Sequence, residues 1–154
     1  MTVSVQQADF DTGAEIAALG GEGIGAVASF VGLVRADKAG ANDADAVQAM
    51  TLEHYPAMTQ SALDDIVAQA RARWDLAGVR VIHRVGRLLP GERIVFVGVA
   101  SSHRHDAFAA CEFIMDYLKT RAPFWKREET AGGARWVDAR ESDDAALGRW
   151  SKGE

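Results

Sequence analysis

The sequence predicts a mixed α/β domain of the α+β kind, with two main helices and a mixed, largely antiparallel sheet. Three observations lead there. Short runs such as Val3-Val5 and Met50-Leu52-His54 alternate apolar and polar residues, as half-buried strands do. The stretch from Arg104 to Arg121 instead places its apolar residues at helical spacing. The chain has 154 residues, 48% hydrophobic and 25% charged, which suits a single globular core over residues 1–154 and excludes disordered or fibrous classes.

Each element has its own signal. Val3 and Val5 mark the first strand. Residues near Phe10 to Leu19 follow as a short helix that Gly20 and Gly21 stop. From Ile24 to Val34, the β-formers Val27, Phe30, Val31 and Val34 make a second strand, interrupted by Gly25 and Gly32. The small and polar residues Ala39 to Ala46 predict a mobile loop. A strand through Met50, Leu52 and His54 comes next. Pro56 then opens a helix to about Trp74, at a position where its missing N–H costs nothing.

Val79, Val81 and His83 begin another strand toward Gly86, Pro90-Gly91 is a turn, and Ile94 to Val99 is the most strand-like run. Ser101 and Ser102 are candidate caps for the helix from about Arg104, whose apolar positions are Ala107, Phe108, Cys111, Ile114, Met115 and Leu118. Pro123 ends it. Phe124 to Thr130 and Arg135 to Asp138 read as two short strands joined at Gly132-Gly133, and the tail after about Trp150 carries no signal.

Charge narrows the function. With 17 basic against 22 acidic residues, the net charge is −5, which argues against nucleic-acid binding. No apolar run approaches the ~18 residues of a membrane helix. Asp9, Asp11 and Glu15 stand where a secretory leader would be basic, and the lone Cys111 has no internal disulfide partner, so a cytoplasmic protein is expected. Yet Lys119, Arg121, Lys126 and Arg127 form one basic segment, with no acid between Lys119 and Arg127. Such a segment points to a local anion site.

Several motifs have bland readings. The cluster Gly20, Gly21, Gly23, Gly25 spaces like a dinucleotide loop, but the expected order is helix, glycines, strand, the reverse of what pyrophosphate binding needs. A structural turn is the better reading. Cys111 sits in an apolar helical stripe, where a thiol is a small unreactive hydrophobe, so any sulfur must come from outside. The histidines make no metal site: Arg104 separates His103 from His105, and His54 and His83 lie on separate strands without cysteine partners.

Other residues suit anion chemistry. His103 stands between a strand end and a helix start, where free N–H groups and Arg104 could meet an anion. A packed capping histidine is the alternative, and the residues alone leave both open. Lys119 falls at the border of the apolar helix face, and Lys126 can return beside it after Pro123. A partly desolvated lysine beside another cation has a depressed pKa and can act as base or nucleophile. Snorkelling to solvent is the alternative. Arg35, at the end of FVGLVR, is either a ligand contact beside Gly32 or a solvated charge.

Taken together, GAVASFVGLVR (Gly25 to Arg35), LEHYPAM (Leu52 to Met58), IHRVGRLLPGE (Ile82 to Glu92), VASSHRHDAFAAC (Val99 to Cys111) and DYLKTRAPFWKRE (Asp116 to Glu128) resemble the large, catalytic subunit of molybdopterin synthase. The pieces occur in the family's order across most of the chain from Gly25. The resemblance implies an α/β hammerhead-type fold and a homodimer within a heterotetramer. It implies a small ubiquitin-like sulfur carrier subunit, whose C-terminal Gly-Gly thiocarboxylate enters a pocket of the large subunit. There cyclic pyranopterin monophosphate takes up two sulfurs to become molybdopterin. By matching positions, Lys119 and Lys126 are catalytic, Arg35, His103 and Arg104 bind substrate, and Arg127 and Glu128 line the same site. Arg140, in DARESD, would reach across the dimer. No resident cofactor or metal is implied.

The residues fit that chemistry. A cyclic phosphate and a thiocarboxylate are both anions, so clustered cations reduce their repulsion and a lysine could shuttle protons. Two rivals remain at this level: a non-enzymatic domain that binds a pterin or nucleotide phosphate, and a scaffold that docks a ubiquitin-like protein.

Overall fold

The computed structural model describes residues 2–36, 46–137 and 141–152. The elements run β1 (Val3–Gln6), α1 (Thr12–Leu19), β2 (Ala26–Leu33), β3 (Ala49–His54), α2 (Pro56–Arg73), β4 (Gly78–Arg84) and β5 (Gly86–Leu88). They continue as β6 (Arg93–Ser101), α3 (Arg104–Arg121), β7 (Phe124–Thr130), β8 (Gly133–Val137) and α4 (Glu141–Gly148), with a 3-10 turn over Arg149–Lys152. The loop expected over Ala39 to Ala46 lies outside the described residues up to position 45.

The strands form two sheets where the sequence suggested one. The first has the order β1-β4-β6-β2, with β1 parallel to β4 and the other pairs antiparallel. The second has the order β5-β3-β7-β8 and is antiparallel throughout. The division falls just after β4. Gly86 takes φ +87°, a left-handed conformation that side chains disfavour, and there the chain leaves the first sheet and enters the second.

Alternation along β4 and β6 sends Val79, Val81, Val95, Val97 and Val99 toward α2 and α3, where they meet Leu63, Ile66, Ala110 and Ile114. The opposite face sends Ile82 and Phe96 to Phe10, under α1. A smaller core of Val34, Val47, Leu52 and Leu88 supports the second sheet. Ile94 and Phe124 pack against both this core and the main one, so the two sheets meet there.

Two details of α3 differ from the sequence reading. Phe108 is 66% exposed, whereas Ala110 and Phe113 are buried. The buried stripe Ala107, Ala110, Cys111, Ile114, Leu118 already saturates the face against the sheet, and Phe108 falls beside it. Ser101 and Ser102 do not cap the helix. Pairing of Ala26 with Ser101 extends β6 through Ser101, whose hydroxyl donates to the carbonyl of Asp75 at 3.0 Å. His103 becomes the N-cap, without a side-chain capping bond.

The glycine cluster is indeed a turn, since Gly20 caps α1 and the strand β2 follows it. No apolar period marks α4 in the sequence; Leu147 is buried where this helix packs on α3. Trp150 packs edge-on against Trp74 and Phe113, and its indole N–H donates to Asp116 at 2.7 Å.

Candidate active site

Val79, Val81 and His83 occupy alternate positions of β4, so the row of valines facing the helices ends in an imidazole. The last turn of α3 brings Leu118 and Lys119 to that imidazole. Pro123 then breaks the helix, and β7 returns with Phe124 and Lys126 on its inner face, opposite His54 and Leu52 of β3. Together with Gly32 of β2 and Val95 of β6, these residues line a cavity of about 80 Å³.

Gly32 lies on the cavity wall where there is no space for a side chain. A Cβ built there would sit 2.6 Å from the Cγ1 of Val95, closer than real Cβ atoms approach. The glycine expected to let a ligand near the backbone therefore forms one wall of the cavity.

The electrostatics are uneven. Lys119 is exposed at the rim and Lys126 is half-buried, and both act on His83 across the cavity. The imidazole is buried and stacked on Phe124, with ring centroids 3.8 Å apart and planes 18° from parallel. Its Nδ1–H donates to the carbonyl of Arg84 at 2.8 Å. Burial first, and then the two lysines, push its pKa down from 6.5 to about 3, so it is neutral at ordinary pH.

The other residues singled out by sequence fall into three places. Arg35 is exposed, three residues past Gly32, and so within about 10 Å of the cavity wall by chain length. His103 and Arg104 are exposed at the opposite end of α3. Arg104 lies fifteen residues from Lys119 along the helix (119 − 104), about 22 Å at the rise of an α-helix. One chain does not bring the two groups together. His103 makes no side-chain capping bond at that helix end, and the positive end of the helix dipole beside Arg104 suits an anion.

On β7, Glu128 shares the face of Lys126 and is buried, whereas Arg127 alternates to the opposite face. The buried Nε of Arg127 has no hydrogen-bond partner among the described residues. Arg140 lies outside the described residues. Cys111 is buried, its thiol directed at the carbonyl of Val97 at 3.8 Å, and burial raises its pKa to about 11. It is no nucleophile at neutral pH. Sequence reasoning missed His83 as a site residue. The available signal was an imidazole closing an otherwise apolar row.

The model of the MoaE protein family matches residues 5–121. The chain belongs to that family. It is 63% identical over 151 residues to the molybdopterin synthase catalytic subunit of Ralstonia nicotianae, covering 97% of this chain and 84% of that one. The protein of the same name from Pseudomonas aeruginosa is 57% identical over 154 residues, covering 99% and 100%. The solved structure of the molybdopterin biosynthesis MoaE protein from Burkholderia ambifaria superposes with a TM-score of 0.81 at 56% identity, covering 97% of each chain.

This MoaE protein is a molybdopterin synthase catalytic subunit, an enzyme of molybdenum cofactor biosynthesis. A passive phosphate-binding domain and a scaffold are thereby set aside. Among the described residues no helix is long and apolar enough to cross a membrane.

Proposed function

We propose that the cavity between α3 and β7 is where sulfur is transferred, with Lys119 and Lys126 as the reacting amines. The substrate is cyclic pyranopterin monophosphate, and the sulfur arrives on the thiocarboxylated C-terminal Gly-Gly tail of a small ubiquitin-like carrier subunit. One observation carries this reading: two lysines from separate elements line one cavity whose third titratable group, His83, stays uncharged. The two cations offset the repulsion between anionic thiocarboxylate and anionic phosphate. One amine supplies or removes the proton as the phosphate ester opens and carbon–sulfur bonds form. The buried thiol of Cys111 stays out of the reaction, in keeping with sulfur delivered from outside. A cytoplasmic setting suits both the thiocarboxylate and an unpaired cysteine.

Arg35 stands at the same end of the molecule and supplies a guanidinium for the phosphate. His103 and Arg104, some 22 Å away along α3, serve the site of a second copy in a homodimer, as does Arg140. The heterotetramer is that dimer with one carrier per chain.

Replacing Lys119 with alanine abolishes molybdopterin formation while carrier binding and thermal melting stay near normal. The assay is single-turnover formation of the dithiolene from thiocarboxylated carrier and precursor. Near-normal turnover would remove Lys119 from the mechanism. Lys126→Ala, run alongside, loses most of its rate or its substrate affinity.

A further inference from the structure

Between the two lysines lies a side chain with no part in the transfer as described. His83 is held on three sides. Its ring stacks on Phe124 at 3.8 Å, its backbone is paired between β1 and β6, and its Nδ1 faces the Arg84 carbonyl at 2.8 Å. A carbonyl oxygen accepts and never donates, so the ring proton sits on Nδ1 and Nε2 carries the lone pair. The titratable groups facing the ring are Lys126 from β7, Lys119 from α3 and His54 from β3, and each disfavours a charge on it. A neutral ring with a fixed tautomer, in a cavity lined by two amines, is an acceptor placed among donors.

We infer that His83 is a positioning residue for the sulfur transfer: its Nε2 accepts a hydrogen bond from a lysine ammonium of the cavity and so sets that amine's place and proton affinity. The inference rests on Lys119 and Lys126 being the reacting amines. It has a consequence that packing alone lacks. A hydrogen bond to the charged form stabilises the ammonium, so losing the acceptor lowers the lysine pKa. Replacing the imidazole therefore moves the lysine limb of the pH–rate profile toward lower pH.

The test uses the complete complex with thiocarboxylated carrier. The amide of His83→Asn reproduces Nδ1, keeping the donor to Arg84 and losing the acceptor. The longer His83→Gln returns an oxygen near Nε2. In H83N, kcat falls about tenfold, KM changes little, and the lysine limb moves down by about half a pH unit or more. H83Q regains part of kcat and moves the limb back. Should H83N not fold, H83F, which keeps the stack on Phe124, takes its place with the same expectations.

Unchanged kcat and limb in H83N, or equal losses in H83N and H83Q with no limb movement, overturn the inference and leave the ring a packing element. Lys119→Ala and Lys126→Ala serve as controls. Normal turnover in both overturns the lysine assignment, and this inference with it. Inactive controls beside an unaffected His83 variant overturn this inference alone.

Discussion

His83 and Cys111 are ionisable side chains that burial holds in their uncharged forms, the imidazole at a pKa of about 3 and the thiol at about 11. For the thiol this removes reactivity. For the imidazole it makes stability depend on pH. Unfolding lets His83 take a proton at pH values below 6.5, whereas the folded state refuses it down to about 3. Stability from this residue is thus complete above pH 6.5 and is lost as pH falls from there toward 3. The slope in that window is about 1.4 kcal/mol per pH unit. Urea unfolding at pH 7, 6 and 5 should show little change above pH 6.5 and an approach to this slope between pH 6 and 5 in the wild type and not in H83F; equal slopes would exclude His83 as its source. The stacking on Phe124 is not visible in a local stretch of sequence, since Phe124 lies 41 positions away (124 − 83).

Elements decide the cavity's walls. β2 contributes Gly32 and β6 contributes Val95, and their registry leaves no room for a methyl group between them. Gly32→Ala is expected to destabilise the fold by about 1–3 kcal/mol through overpacking and to lower turnover by narrowing the cavity. Val95→Ala, added to it, removes the colliding methyl and restores part of both. Thermal melts and initial rates of the single and double variants check this, and a double variant no better than G32A would contradict it. The helices α2 and α3 were legible because Pro56 and Pro123 punctuate them and the apolar stripe of α3 repeats at helical spacing. The strand β5 and the helix α4 were not, being three and eight residues long with little period to read.

At the scale of the whole molecule, the two ends of α3 stand about 22 Å apart within one chain. Lys119 and Arg104 serve one substrate only if two copies bring opposite ends of their helices together. An R104A chain and a K119A chain, each inactive alone, should regain turnover when unfolded and refolded together. One of the two sites in each mixed dimer then carries both native groups. No recovery in a mixture shown to contain the mixed dimer would mean that each chain works with its own groups. Family membership, the helices α2 and α3, most of the strands and the return of Lys126 beside Lys119 could be read from the chain, because motifs and periodicity are local properties of a polymer. That the strands divide into two sheets, that Phe108 is exposed, that His83 joins the lysines and that Arg104 stands apart from them were decided in three dimensions. Periodicity tells which way a side chain faces within its own element, whereas the packing of distant elements determines what it faces.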